Sequence, residues 1–221
     1  GIGRLMVLGF VFDLVVGVVI AGALGAAVIL GQYVGELPDH RQLEQYRPKI
    51  PTEILDSNSQ VIASLYTEYR EFTPIEDIPS LVQDAFLSAE DKNFYTHTGL
   101  DPAGILRALI HNIRAMGTGE RMQGASTITQ QVIKNFLLDS DRTIERKLKE
   151  AVLAMRFEEQ FTKDQILELY LNQIYLGAGS YGVAAAAKVY FKKDLDQLEV
   201  HEAAYLAAMP KAPNDYHPHR Q

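Results

Sequence analysis

Two adjacent carboxylates, Glu90 and Asp91, are followed at short spacing by Phe94, His97 and Gly99. A carboxylate on a helix end, lifted off a packed face, can reach a substrate as an acid or a base. A solvated helix end is the plain alternative. A second cluster is Gly124-Ala125-Ser126-Thr127-Ile128-Thr129-Gln130-Gln131-Val132-Ile133-Lys134-Asn135. At helical spacing Thr127, Gln131, Lys134 and Asn135 share one face, and Ile128, Val132 and Phe136 form the apolar side. Hydroxyl, amide and ammonium groups together suit sugar hydroxyls and phosphate oxygens. An N-capped surface helix gives the same pattern without a ligand. The third cluster is Arg142-Thr143-Ile144-Glu145-Arg146-Lys147-Leu148-Lys149-Glu150. Arg146 and Glu150 stand four apart, where a helix salt bridge is worth about 0.2–0.5 kcal/mol. The functional alternative makes Arg146 and Lys147 counter-ions for a phosphate-bearing ligand. From Lys134 to Lys149 there are five basic and three acidic residues, a local positive excess in a chain of net charge −7.

Helices must position these groups. Leu81, Val82, Ala85, Phe86 and Ala89 recur at helical spacing just before Glu90. Pro79 suits the first turn of that helix, and Gly99 with Asp101-Pro102 breaks it and starts another, running to about Met116. Ile105, Ala108, Leu109 and Asn112 share one face of this second helix. Gly117 to Gly124 holds three glycines in eight residues and reads as a mobile loop. Further helices are expected from Ser126 or Thr127 to Leu138, from Thr143 to Phe161, and from a Thr162-x-x-Gln165 capping box through Tyr170. Two more are expected over Val183 to Tyr190 and Val200 to Met209. Thr52 to Leu55 and Val61 to Tyr69, separated by Asp56-Ser57-Asn58-Ser59, read as a β-hairpin.

The 221 residues suffice for one sizeable domain plus an appendage. The acidic balance argues against a nucleic-acid partner. The chain has no cysteine, which excludes disulfides and thiolate metal sites within it. His217 and His219 read as a tail. Leu14 to Gly35 form 22 residues without a charge, enough to cross a bilayer. A signal peptide cleaved near Ala21-Gly22-Ala23 competes, but the apolar run continues through Val34, which favours an uncleaved signal anchor. Arg4 precedes the run and Arg41, Arg47 and Lys49 follow it, so basic residues alone do not set the orientation. The expected organisation is an anchor over 1–35, a juxtamembrane linker over 36–51 and a mainly α domain over 52–221.

In this order the clusters resemble the peptidoglycan glycosyltransferase family, the lysozyme-like domain of class A penicillin-binding proteins and of monofunctional glycosyltransferases. The family motif E-D-x-x-F-x-x-H-x-G is matched by Glu90, Asp91, Phe94, His97 and Gly99. G-x-S-T-I-T-Q-Q is matched from Gly124 to Gln131, and R-K-x-x-E by Arg146, Lys147 and Glu150. I-L-E-x-Y-L-N is matched by Ile166, Leu167, Glu168, Tyr170, Leu171 and Asn172. The resemblance covers about Thr52 to Asp215. The family's Arg-Arg-x-x-Val-Leu element has no match before Gln221, so the C-terminal end of the domain is expected to be missing. No Ser-x-x-Lys or Lys-Thr-Gly marks a β-lactam-reactive serine site.

The resemblance implies a lysozyme-like helical domain with a small β-hairpin, behind one transmembrane helix in the bacterial inner membrane and on its outer face. It implies that lipid II, a disaccharide-peptide on undecaprenyl diphosphate, is polymerised into glycan strands with inversion at the anomeric carbon. Glu90 and Glu150 are then the catalytic residues. Asp91, Phe94, His97, Ser126, Thr127, Gln131, Lys134, Asn135, Arg146 and Lys147 bind substrate. A divalent cation, Mg2+ or Mn2+, would be held by Asp91 or Glu150, unless Glu150 only orients Arg146. Lys211 is a weaker candidate for the phosphate or acceptor site, and Asn172 for an indirect hydrogen-bonding role. Partners are lipid II, the growing glycan, membrane lipids touched by residues such as Met116 and Met122, and other proteins of cell-wall synthesis. A lysozyme-like hydrolase would use a protonated Glu90 and has no need of the cationic cluster. A non-catalytic membrane scaffold would need neither.

Overall fold

The fold is seen in a computed structural model that describes residues 17, 52–55, 61–65, 68–120, 122–137 and 143–211. Apart from Gly17, the expected anchor and linker lie outside the described residues, as do the hairpin turn and the two C-terminal histidines. Among the described residues no helix is long and apolar enough to cross a membrane.

The domain is mainly helical, as expected. The antiparallel hairpin is β1 (Thr52–Leu55) and β2 (Val61–Leu65), with Thr52 opposite Leu65. The expected second strand ran on to Tyr69, but Tyr69–Arg70 form a separate strand, β3. It pairs in parallel with β4 (Ser180–Tyr181). That pairing is non-local and leaves no period in either segment. Among the described residues seven α-helices of a turn or more carry the rest: α1 (Ser80–Glu90), α2 (Pro102–Ala115), α3 (Ile128–Leu137), α4 (Ile144–Glu158), α5 (Lys163–Gln173), α6 (Val183–Phe191) and α7 (Val200–Ala208).

Local chemistry sets the boundaries. Pro79 is the N-cap of α1 rather than its first residue. Pro102 opens α2, where its missing N–H costs nothing. Thr143 caps α4 by accepting the Arg146 N–H. The capping box between Thr162 and Gln165 opens α5 as the sequence indicates. Two glycines are required by contact as well as by backbone angle. Gly99 has φ +87°, and a Cβ there would stand 2.7 Å from the Ala154 carbonyl carbon in α4. Gly182 has φ +86°, and its Cβ would meet the Asn172 carbonyl oxygen at 2.7 Å.

One core holds the elements together. Phe86 of α1, Phe94, Ile128 and Ile133 of α3, Phe157 of α4, Leu167 and Tyr170 of α5 and Leu206 of α7 are all fully buried. α1 packs on α7, and α3 packs on both α4 and α5. α2 is different. It buries only Ala108 and Ala115; Ile105 and Leu109, which share Ala108's face in the sequence, are exposed.

Candidate active site

Glu90 is the last residue of α1, and its Oε2 accepts a hydrogen bond from Gln131 Nε2 of α3 at 2.8 Å. Burial pushes the Glu90 carboxyl above its ordinary value; the Gln131 bond and the nearby Lys211 and Lys134 charges pull the other way. The neighbouring Asp91 charge adds to the rise. Tyr170 lies beneath, its phenol pushed well above the usual range by burial and by Glu90 and Asp91. A carboxylate with raised basicity, held by one amide and watched by two ammonium groups, is equipped to take a proton from a hydroxyl.

Glu90 lines a pocket of about 230 Å³ between the end of α1, the start of α2 and the segment before α3. Asp91, Ser126 and Thr127 line it too, with Lys92 and Arg107 as cations. Lys92 and Arg107 were not singled out from sequence. Lys92 sits inside the first motif as a variable position, and Arg107 lies one turn into α2, off the face that Ile105, Ala108, Leu109 and Asn112 share.

The third cluster meets this pocket through Ser126. Lys147 Nζ donates to Ser126 Oγ at 2.8 Å and pairs closely with Glu150. Glu150 is only 1 % exposed. The sequence spacing suggested an Arg146–Glu150 pair, but among the described residues Glu150's ion pair goes to Lys147, three positions away. The i,i+4 pair of this helix is Glu145 with Lys149. Arg146 is half-buried, and its Nε is buried without a hydrogen-bond partner. An orphaned guanidinium N–H is expensive unless an anion meets it.

α3 turns more polar groups inward than its apolar period suggests. Thr127, Thr129 and Gln130 are all buried. Thr127 Oγ1 donates to the Gly99 carbonyl at 2.7 Å, and Thr127 and Gln130 bond reciprocally across the helix start. Thr129 donates to Glu158 of α4, which also takes the Lys163 ammonium. Asp91 Oδ2 accepts the Ile128 N–H at 3.0 Å and the His97 Nε2–H at 2.9 Å. Phe94 is 1 % exposed and stands edge-on to the His97 ring. Lys134 and Asn135 are exposed on α3, with the Lys134 charge near enough to act on Glu90. Asn172 brackets Thr73, donating to its carbonyl and accepting its N–H, both at 2.8 Å.

Asp91 and Glu150 do not fit a protein-built metal site. Asp91 is buried with one oxygen taken by two donors, and Glu150 is buried against Lys147. Among the described residues no three His, Asp or Glu side chains gather as a ligand set.

Comparison with known proteins identifies the family. The profile of the family described as Transglycosylase matches residues 58–221. Penicillin-binding protein 1A of Rickettsia felis is 48 % identical over 202 residues, 91 % of this chain and 26 % of that protein. Penicillin-binding protein 1A of Aquifex aeolicus is 48 % identical over 204 residues, 92 % of this chain and 28 % of that protein. A crystal structure of penicillin-binding protein 1A from Haemophilus influenzae is similar at TM-score 0.40 and 26 % identity, over 78 % of this chain and 16 % of that one. The chain thus spans about a quarter of the length of the curated relatives it matches. With its profile match covering all three chemical clusters, the chain belongs to the transglycosylase family.

Proposed function

We infer that this chain is the glycosyltransferase domain of a peptidoglycan polymerase, joining lipid II units into glycan strands. The observation that carries the reading is Glu90. It is a half-buried carboxyl of raised basicity, oriented by Gln131 and lining a pocket edged with cations. Glu90 takes the proton of the acceptor sugar's 4-hydroxyl as that oxygen attacks the donor's anomeric carbon. The bond from that carbon to the diphosphate oxygen breaks, and the diphosphate leaves with its polyprenyl chain. Attack from the opposite side inverts the anomeric centre. The leaving group needs positive charge rather than a proton. Arg146, with its unpartnered Nε, and Lys147, already reaching Ser126, supply it beside Lys134. Glu150 holds Lys147 in place for that task.

The lipid substrate has a matching surface. α2 exposes Leu106, Leu109, Ile110 and Ile113, and Met116 and Met122 are exposed just beyond it, Met116 by 75 %. A contiguous apolar face of this kind marks contact with a membrane or another apolar partner. Arg107 links that face to the Glu90 pocket, since it lines both the pocket and a neighbouring groove with Leu106 and Ile110. In this reading the domain works on the outer face of the inner membrane, where the polyprenyl tail stays in the bilayer.

A hydrolase is disfavoured by the orphaned Arg146 and the Lys147–Ser126 contact, which glycan cleavage does not require. Incubating lipid II with the protein in detergent separates the readings. Polymer that grows is the expected result; shortening of preformed glycan indicates hydrolysis. Arg146→Ala and Lys147→Ala should each weaken binding of a phosphoglycolipid donor mimic about 10- to 100-fold, the loss of one charge-assisted contact. Unchanged affinity in both removes the diphosphate assignment.

A further inference from the structure

Glu90 and Asp91 are neighbours in sequence and reach α3 at two points. Asp91 Oδ2 accepts the N–H of Ile128, the first residue of α3. Glu90 Oε2 accepts from Gln131, three residues further along. The orientation of the Glu90 carboxylate is therefore only as fixed as the start of α3. Among the described residues Asp91 in turn has one side-chain donor, His97, whose Nε2 binds the same oxygen as the Ile128 N–H.

The His97 ring is sealed in. Its side chain is 6 % exposed, and it is absent from the residues lining the Glu90 pocket. Phe94 covers it edge-on with ring centroids 6.1 Å apart. Nδ1 is buried, makes no hydrogen bond and faces Glu158 Oε1 at 3.9 Å. Glu158 is already engaged by Thr129 and Lys163. Neither ring nitrogen lines the Glu90 pocket, and among the described residues the single hydrogen bond the ring makes is the one to Asp91.

We propose that His97 is a positioning residue for Glu90, acting through Asp91 and the first turn of α3. Its task is to hold one Asp91 oxygen against the Ile128 N–H, so that Gln131 meets the Glu90 carboxylate. The kinetic consequence rests on the glycosyl-transfer reading above; the geometric one does not.

The test uses two amides. The side-chain nitrogen of glutamine reaches about as far from the backbone as Nε2 of histidine, and that of asparagine about as far as Nδ1. His97→Gln can therefore still donate to Asp91, and His97→Asn cannot. Kinetically, His97→Asn should lower kcat at least about tenfold with KM for lipid II unchanged, and His97→Gln should stay within about threefold of wild type. A raised KM with unchanged kcat would make His97 a substrate contact and overturn the proposal, as would equal losses in both variants. A second readout needs no activity. The Glu90 carboxyl is titrated by carbon-13 NMR in all three proteins. Asp91, Lys134, Lys211 and the Tyr170 phenol face Glu90 in each of them. Because the Gln131 bond lowers the Glu90 titration point, losing it should move that point upward in His97→Asn and leave it in place in His97→Gln. No movement in either variant refutes the positioning role. If wild type makes no polymer and the titration still separates the variants, the transfer reading fails and the positioning role stands.

Discussion

α3 and α2 break the usual rule of burial in opposite directions. α3 carries Thr127, Thr129 and Gln130 at its start and buries all three, each with a partner on another segment or across its own first turn. α2 carries Leu106, Leu109, Ile110 and Ile113 and exposes all four. Buried polar groups cost free energy unless each finds a partner. Exposed apolar side chains forgo roughly 1.5–3 kcal/mol each of burial. On the proposed function both departures serve one substrate: the bonded polar start of α3 would hold Gln131 against Glu90, and the apolar face of α2 would meet the lipid end.

Changes that loosen α3 should destabilise the domain, and changes on α2 should not. Gly99→Ala comes first. It adds a Cβ at φ +87° that would stand 2.7 Å from the α4 backbone, next to the carbonyl that receives Thr127. A loss of more than about 2 kcal/mol is expected in denaturant unfolding, since neither the backbone angle nor the contact can relax cheaply. Thr129→Val follows. It keeps the shape and removes the donor to buried Glu158, which should cost about 1–3 kcal/mol in the same measurement. Glu90→Gln is smaller and of opposite sign. Burial raises the Glu90 pKa in the folded state above its ordinary value of 4.5, so the ionised form is disfavoured by folding. That penalty is absent below pH 4.5, where the group is protonated in both states, grows as pH rises from there and is complete above the folded-state value. Calorimetry should therefore show Glu90→Gln melting higher than wild type at pH 7, with the gap closing as pH falls toward 4.5. Least affected is α2. Replacing Leu106, Ile113 and Met116 together by Gln should change stability by less than about 1 kcal/mol, because all three are exposed and Gln is a good helix former. The same variant should bind lipid vesicles less than wild type, in a sedimentation assay that subtracts any contribution from the N-terminal apolar run. A large stability loss from this α2 variant, or none from Gly99→Ala, would undo the contrast.

The helices that make this contrast were legible in the residues, but their burial was not. The helix before Glu90 follows from its apolar spacing, and the Thr162 capping box from local hydrogen-bonding chemistry that needs no tertiary partner. The clusters around Glu90, Gln131 and Lys147 stand out in the sequence by residue type, and the fold brings Gln131 to Glu90 and Lys147 to Ser126. What stayed hidden depends on contacts across the fold. Nothing local makes Tyr69–Arg70 pair with Ser180–Tyr181 instead of extending the hairpin. The i,i+4 rule points Arg146 to Glu150, yet Lys147, held between Ser126 and the buried Glu150, takes that carboxylate at i,i+3. Helical periodicity gives α2 an apolar face but does not say whether protein or solvent lies against it. Arg107 escaped notice for the same reason: its place beside the pocket depends on how α2 leaves the core.

The account stands on Glu90 as the base. The most direct measurement is a paired assay of Glu90→Gln: polymer formed from lipid II in single turnover, and affinity for a phosphoglycolipid donor mimic. Glutamine keeps an oxygen for the Gln131 amide, so the pocket should persist and the mimic should bind within about twofold of wild type. Polymer formation should fall at least about 10²-fold, the usual worth of a general base. Polymer made at the wild-type rate by Glu90→Gln would contradict the account.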